Sequence, residues 1–139
     1  MNEQETNRAL LLRLIEDGFN KGDLSAVDRI VAVDSKEYQR GNPDGSEGTK
    51  EVIRTLRGWF PDFTMVAQDT AAVGDKVWAR FKASGTNLGS VMGRPPTGRK
   101  VTVDVIDIAR FRDGRIVEHW GIPDQLGLMI QLGFVPKPE

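Results

Sequence analysis

Asp107 and His119 are the two residues whose types and spacing could carry acid–base chemistry in this chain. They lie on two alternating segments, Val101–Phe111 and Arg115–Ile122, that flank Asp113-Gly114, the strongest hairpin signal in the sequence. Two registers are open to such a hairpin. A two-residue loop pairs Phe111 with Ile116 and sets Asp107 opposite Trp120. A three-residue loop, Arg112–Gly114 with Gly114 left-handed, pairs Phe111 with Arg115 and sets Asp107 opposite His119. The three-residue loop is the expectation, because it gathers Val101, Val103, Val105, Ala109, Phe111 and Val117 on one face, with Asp107 and His119 as its only polar members. Asp104, Arg110, Glu118 and Trp120 then share the other face. A carboxylate beside an imidazole on an apolar surface is what proton transfer needs. Asp107 would favour the charged imidazole while burial would disfavour it, which brings a titration near neutral pH within reach. The competing reading is a buried structural pair that satisfies itself and fixes the register.

Other residues could complete a binding surface. Val105 would form part of its apolar wall. Tyr38, the only tyrosine, falls on a short strand expected over Lys36–Arg40 and could donate to a ligand oxygen, or could simply keep its hydroxyl in water. Asn87 and Met92 sit in a Gly- and Pro-containing excursion, residues 85–99, too long for a simple hairpin and suited to the rim of a cavity. Asp124, following Pro123, reads as a helix N-cap, and Lys36, Arg54 and Arg57 read as solvated faces. The stretch Gly93–Gly98 has neither the spacing nor the lysine of a phosphate loop, so no nucleotide cofactor is expected.

The elements that must position these residues follow from hydrophobic spacing. Leu11, Leu12, Ile15 and Phe19 recur at helical intervals up to the stop Asn20-Lys21-Gly22-Asp23. Asp23 can cap a second helix carrying Leu24, Val27, Ile30 and Val31, and Thr49 can cap a third through Val52, Leu56 and Phe60 that ends at Pro61. Beyond Pro61 the spacing turns to alternation, with strands expected over Phe63–Gln68 and Lys76–Ser84. Val77, Ala79, Phe81 and Ala83 face one way on the second of these. Three helices early and a sheet late is α+β order.

Composition bounds the function. At 139 residues the chain is expected to be one domain, residues 1–139, with a closed core. Nineteen basic and twenty acidic residues leave a net charge of −1, which argues against nucleic acid or an anionic membrane as partner. The first apolar stretch is broken by Arg13 and Glu16, so it reads as neither signal peptide nor spanning helix, and a soluble cytoplasmic protein is the expectation. No cysteine and one histidine remove thiolate chemistry, disulfides and imidazole-rich metal centres, and no metal is expected. Trp78 and Trp120 on outward faces suggest a homodimer contact.

Three segments carry a family resemblance: Gly58-Trp59-Phe60-Pro61-Asp62-Phe63, the run Met92-Gly93-Arg94-Pro95-Pro96-Thr97-Gly98-Arg99, and the hairpin from Ile108 to Trp120. With these the chain resembles the SnoaL-like polyketide cyclases of the nuclear-transport-factor-like superfamily, over nearly its whole length. The resemblance implies a curved antiparallel sheet with helices closing a cone-shaped cavity, usually a dimer, and cofactor-free intramolecular aldol closure of a polyketide ester. It puts His119 at the place of a cavity histidine. It also implies an acid–base Asp just after the His-Trp pair, where this chain has Gly121, and often a His where this chain has Asn87. Asp107 could stand in for the missing acid. Three functions remain open on the sequence: a cyclase or isomerase moving protons on an apolar carbonyl compound through Asp107 and His119, a protein that only binds a small hydrophobic molecule, and an epoxide hydrolase. The last is disfavoured by Trp78-Ala79-Arg80-Phe81-Lys82, a strand without a carboxylate.

Overall fold

A computed structural model describes all 139 residues. Asn2 opens the chain by accepting the Glu5 N–H, and helix α1 (Glu3–Arg13) runs without a break into a π-helical segment, Leu14–Asn20. Leu11, Leu14 and Ile15 are buried along this rod. Helix α2 (Ser25–Ile30) follows, with the Asp23 carboxylate accepting the Ser25 N–H, and strand β1 (Val31–Glu37) begins at once. Val31, expected at the end of the helix, is thus the first strand residue, and the strand ends before Arg40. Helix α3 (Gly45–Trp59) has Asp44 as its N-cap, five residues ahead of Thr49, whose hydroxyl instead bonds back to the Gly45 carbonyl. Strands β2 (Thr64–Val73), β3 (Lys76–Thr86), β4 (Lys100–Arg112) and β5 (Arg115–Pro123) and helix α4 (Gln125–Leu132) complete the fold. Asp124 caps α4 by accepting the Gly127 N–H.

The five strands make one sheet in the order β1-β5-β4-β3-β2. The four later strands pair antiparallel, as an α+β chain of successive hairpins should. The first strand differs: β1 lies parallel to β5, with Glu37 beside His119. The sheet is therefore mixed and not wholly antiparallel, because β1 follows directly from α2 and joins β5 without a hairpin between them. Val77, Ala79, Phe81 and Ala83 are buried on the inner face, against Leu11, Ile53, Phe60 and Phe63 from the helical side. The outer face carries the cross-strand ion pairs Lys82–Asp104, Arg80–Asp69 and Arg110–Glu118. No helix is long and apolar enough to cross a membrane.

The β4–β5 hairpin departs from both expected registers. Asp113 and Gly114 both have positive φ, 51° and 76°, the geometry of a type I′ two-residue turn, so Arg112 pairs with Arg115 and Phe111 with Ile116. One step further on, Arg110 pairs with Glu118, leaving Val117 as the extra residue of a β-bulge. Below the bulge Ala109 pairs with His119 and Asp107 with Gly121. Ile116, not Val117, takes the buried position above the bulge. Asp107 and His119 are therefore diagonal neighbours on one face. The bulge restores the parity that a simple two-residue hairpin would have broken.

Arg57 is not a solvated side chain. Its guanidinium donates to the carbonyls of Phe19, Asn20, Pro61 and Phe63, tying the end of the π-helical segment to the entry of β2. Asn20 makes the same junction from the other side, bonding the Met65 N–H and C=O through its own amide. Arg57→Ala should lower stability by about 2 kcal/mol, measured by denaturant unfolding, because several carbonyls lose a charge-assisted donor together.

Candidate active site

The inner face of the sheet and the helices α1 and α3 enclose a cavity of about 460 Å³. Its walls are mostly apolar: Leu14 and Phe19 from the π-helical segment, Leu56 and Trp59 from α3, Val103 and Val105 from β4. Five ionisable residues line the cavity, Glu37, Arg40, Glu51, Asp107 and His119, and three of them form one connected centre. Asp107 comes from the middle of β4, His119 from β5 beyond the bulge, and Glu37 from the last residue of β1. His119 Nε2 lies 2.9 Å from Asp107 Oδ1, and Nδ1 lies 2.7 Å from Glu37 Oε2. Both ring nitrogens thus face a carboxylate, which only the doubly protonated imidazolium can satisfy.

Burial opposes the charge on His119, yet the hydrogen bonds to Asp107 and Glu37 outweigh it and carry the pKa from its ordinary 6.5 up to about 10. The titration near neutral pH expected from Asp107 alone is displaced because a second carboxylate adds to the first. The centre holds one imidazolium and two carboxylates, a net charge of −1, with Asp107 only 6% exposed. Asp107 Oδ2 has no partner within the chain and is the oxygen left to meet a ligand. With both nitrogens bound to carboxylates, the imidazole offers no lone pair to a metal, and no group of three or more such side chains is arranged to hold one.

The other expected site residues divide. Val105 lies in the cavity wall two residues before Asp107, and Met92 lies at the mouth, 61% exposed and left-handed with φ 51°. Tyr38 does not reach the cavity. Alternation along β1 sends Glu37 inward and Tyr38 outward, where its ring stacks on Trp120 at 5.0 Å and its hydroxyl donates to Glu118 at 2.8 Å. Asn87 does not line the cavity either. It is 1% exposed, donates to the carbonyls of Gly89 and Trp59, and accepts from the Thr97 N–H and hydroxyl, so its amide holds the 85–99 excursion together. Glu37 is the residue that the sequence reading missed. The signal available was strand alternation: fixing Tyr38 on the outer face would have turned Glu37 inward.

A cavity of this kind, roofed by helices over one face of a five-stranded sheet, defines a class of α+β cone proteins. Residues 9–132 match the SnoaL-like polyketide cyclase family. The aklanonic acid methyl ester cyclase DnrD of Streptomyces peucetius is 40% identical over 135 residues, covering 93% of each chain. The nogalonic acid methyl ester cyclase of Streptomyces nogalater is 26% identical over 119 residues, covering 83% of this chain and 89% of the relative. Among solved structures, TsrD of Streptomyces laurentii superposes with a TM-score of 0.88 at 29% identity, covering 97% of this chain and all of the other. This chain belongs to the SnoaL-like polyketide cyclase family.

The raised pKa of His119 has a measurable sign. A folded-state value above the unfolded one means that the imidazolium contributes its full stability below about pH 6.5 and loses it as pH rises toward 10. The stability advantage of wild type over His119→Gln should therefore shrink steadily across that window, measured by calorimetry at matched ionic strength.

Proposed function

We propose that the protein closes a carbocyclic ring in a polyketide methyl ester by intramolecular aldol addition, with no cofactor, at the Asp107–His119–Glu37 centre. The single observation that carries this is a carboxylate with one oxygen directed to an imidazolium and the other left toward an apolar cavity. Asp107 Oδ2 takes a proton from a carbon between two carbonyl groups. The electron pair left on that carbon attacks a second carbonyl carbon of the same molecule, forming the C–C bond as the C=O π pair moves onto oxygen. The resulting alkoxide takes up the proton that Asp107 removed, so the product is an isomer of the substrate. His119 remains protonated throughout. It compensates the Asp107 charge in the apolar wall and fixes the carboxylate plane, while Glu37 holds the ring in place.

The family relationship supports this reading, as do the named activities of the curated relatives. The epoxide-hydrolase alternative lacks the arginine of strand β3, because Arg80 is turned to the outer face and paired with Asp69.

Aklanonic acid methyl ester is the substrate with which to test it, ring closure being followed by chromatography. Asp107→Asn should lower kcat about 10²-fold or more, and His119→Ala comparably, as expected for loss of general acid–base help. Glu37→Gln should lower it less, since the imidazole keeps its contact with Asp107. Wild type that binds the ester without converting it, with the same affinity in Asp107→Asn, would make the protein a carrier of hydrophobic molecules instead.

The active species is proposed to be a homodimer joined through the outer sheet face, where Trp78, Val66 and Ile122 are 44%, 54% and 67% exposed. Light scattering at micromolar concentration should give twice the 15.4 kDa chain mass, and Trp78→Lys should return it to the single-chain value.

A further inference from the structure

Gly121 has room for a side chain only if Gln39 moves away. A Cβ built there would overlap the carboxamide of Gln39 at Oε1 and lie 3.0 Å from His119 Cε1. The glycine therefore leaves bare backbone opposite Asp107, and Gln39 fills the space from another strand end. Its own backbone is fixed: the Gln39 N–H donates to Glu37 Oε2, the oxygen that also holds His119, and its C=O accepts from Asn42. The carboxamide itself lines the cavity and bonds no other residue of the chain.

We propose that Gln39 is the donor that receives the carbonyl oxygen of the substrate, a role opened to it by Gly121. This rests on the ring-closing function proposed above. Aldol addition puts negative charge on an oxygen beside a centre already carrying a net −1. Both N–H groups of His119 are committed to carboxylates, so the imidazolium cannot turn to that oxygen without abandoning one of them. A neutral amide at the edge of the imidazole supplies an N–H without adding or needing charge. Gly121 is then a specificity-determining position: any Cβ there displaces the donor.

Gln39→Met keeps the length and removes the donor. With the same methyl ester it should lower kcat about 10²-fold, the size expected for one lost donor to a developing oxyanion. Gly121→Ala should do the same by expelling an unchanged Gln39, and the double variant should be no worse than either single one, because both remove one contact. Losses that add in the double variant, or a Gln39→Met variant as active as wild type while Asp107→Asn is dead, would overturn it. Infrared spectroscopy of a bound hydroxyanthraquinone separates this proposal from the ring-closing reading. Its carbonyl band should move to lower frequency in wild type and stay near its unbound position in Gln39→Met. A wild type that shifts the band yet closes no ester keeps Gln39 as an oxygen donor and removes the cyclase. A band that is unmoved in wild type, or moves equally in the variant, removes Gln39. Melting temperatures close to wild type confirm folding of each variant, and Gln39→Asn, with a shortened donor, replaces Gln39→Met if the latter does not fold.

Discussion

An imidazolium held between two carboxylates is the constraint around which the cavity is organised. Charges in an apolar wall are tolerable only when paired and hydrogen-bonded, and His119 can pair with both partners only if three strands meet in one register. Glu37 comes from a strand that runs parallel to β5, Asp107 from one that runs antiparallel to it. The sheet must therefore be mixed at this edge. The bulge at Val117 has the same origin in geometry: without it the two-residue turn would set His119 and Asp107 on opposite faces, leaving a charged carboxylate alone among valines.

Arranging the centre in this way separates its tasks among elements. The long middle strand, buried by neighbours on both sides, fixes Asp107. The bulged strand aims His119. The short edge strand contributes Glu37 and then, past its last ladder bond, turns through Gln39 to Asn42, so the backbone that anchors one carboxylate also delivers the amide. The outer face answers with its own pairing: Tyr38 and Trp120, adjacent in the chain to Glu37 and His119, stack at 5.0 Å and clamp the same two strands from the other side.

Much of this was legible in the residue pattern, and the remainder was not for identifiable reasons. Helical spacing around Leu11 and Ile15, alternation from Val77 to Ala83, and the Asp113-Gly114 turn are local signals, and they located the helices, strands and hairpin. The pairing of residue types at 107 and 119 was visible because alternation is blind to whether two neighbours are opposite or diagonal. The bulge was not visible, since no residue in Ile116-Val117-Glu118 marks one. Glu37 escaped because its partner lies 82 positions away across a parallel pairing that no hairpin signal announces. Tyr38 was left open between the ligand and water, and settling it on the outer face is the step in parity that turns Glu37 inward. Asn87 was read as a rim residue because a buried loop amide and an exposed one look alike until the loop closes around it.

The π-helical segment Leu14–Asn20 carries a consequence for how such a cavity changes over generations. A π-turn holds one more residue than an α-turn and closes i→i+5 bonds, so the seven residues here store a slack that a regular helix lacks. Losing one residue from this stretch would rewind it into the α form, and because six α-helical residues turn the chain through nearly the same angle as seven π-helical ones, α1 would keep the face it offers to the sheet. The side chains within the segment, Leu14, Ile15 and Phe19 among them, would be re-aimed toward the cavity they line, while Asn20 and its clasp on Met65 stayed put. A single-codon deletion could thus recast the roof of the cavity without disturbing one strand, making this segment the natural place for descendants of the chain to acquire a differently shaped guest.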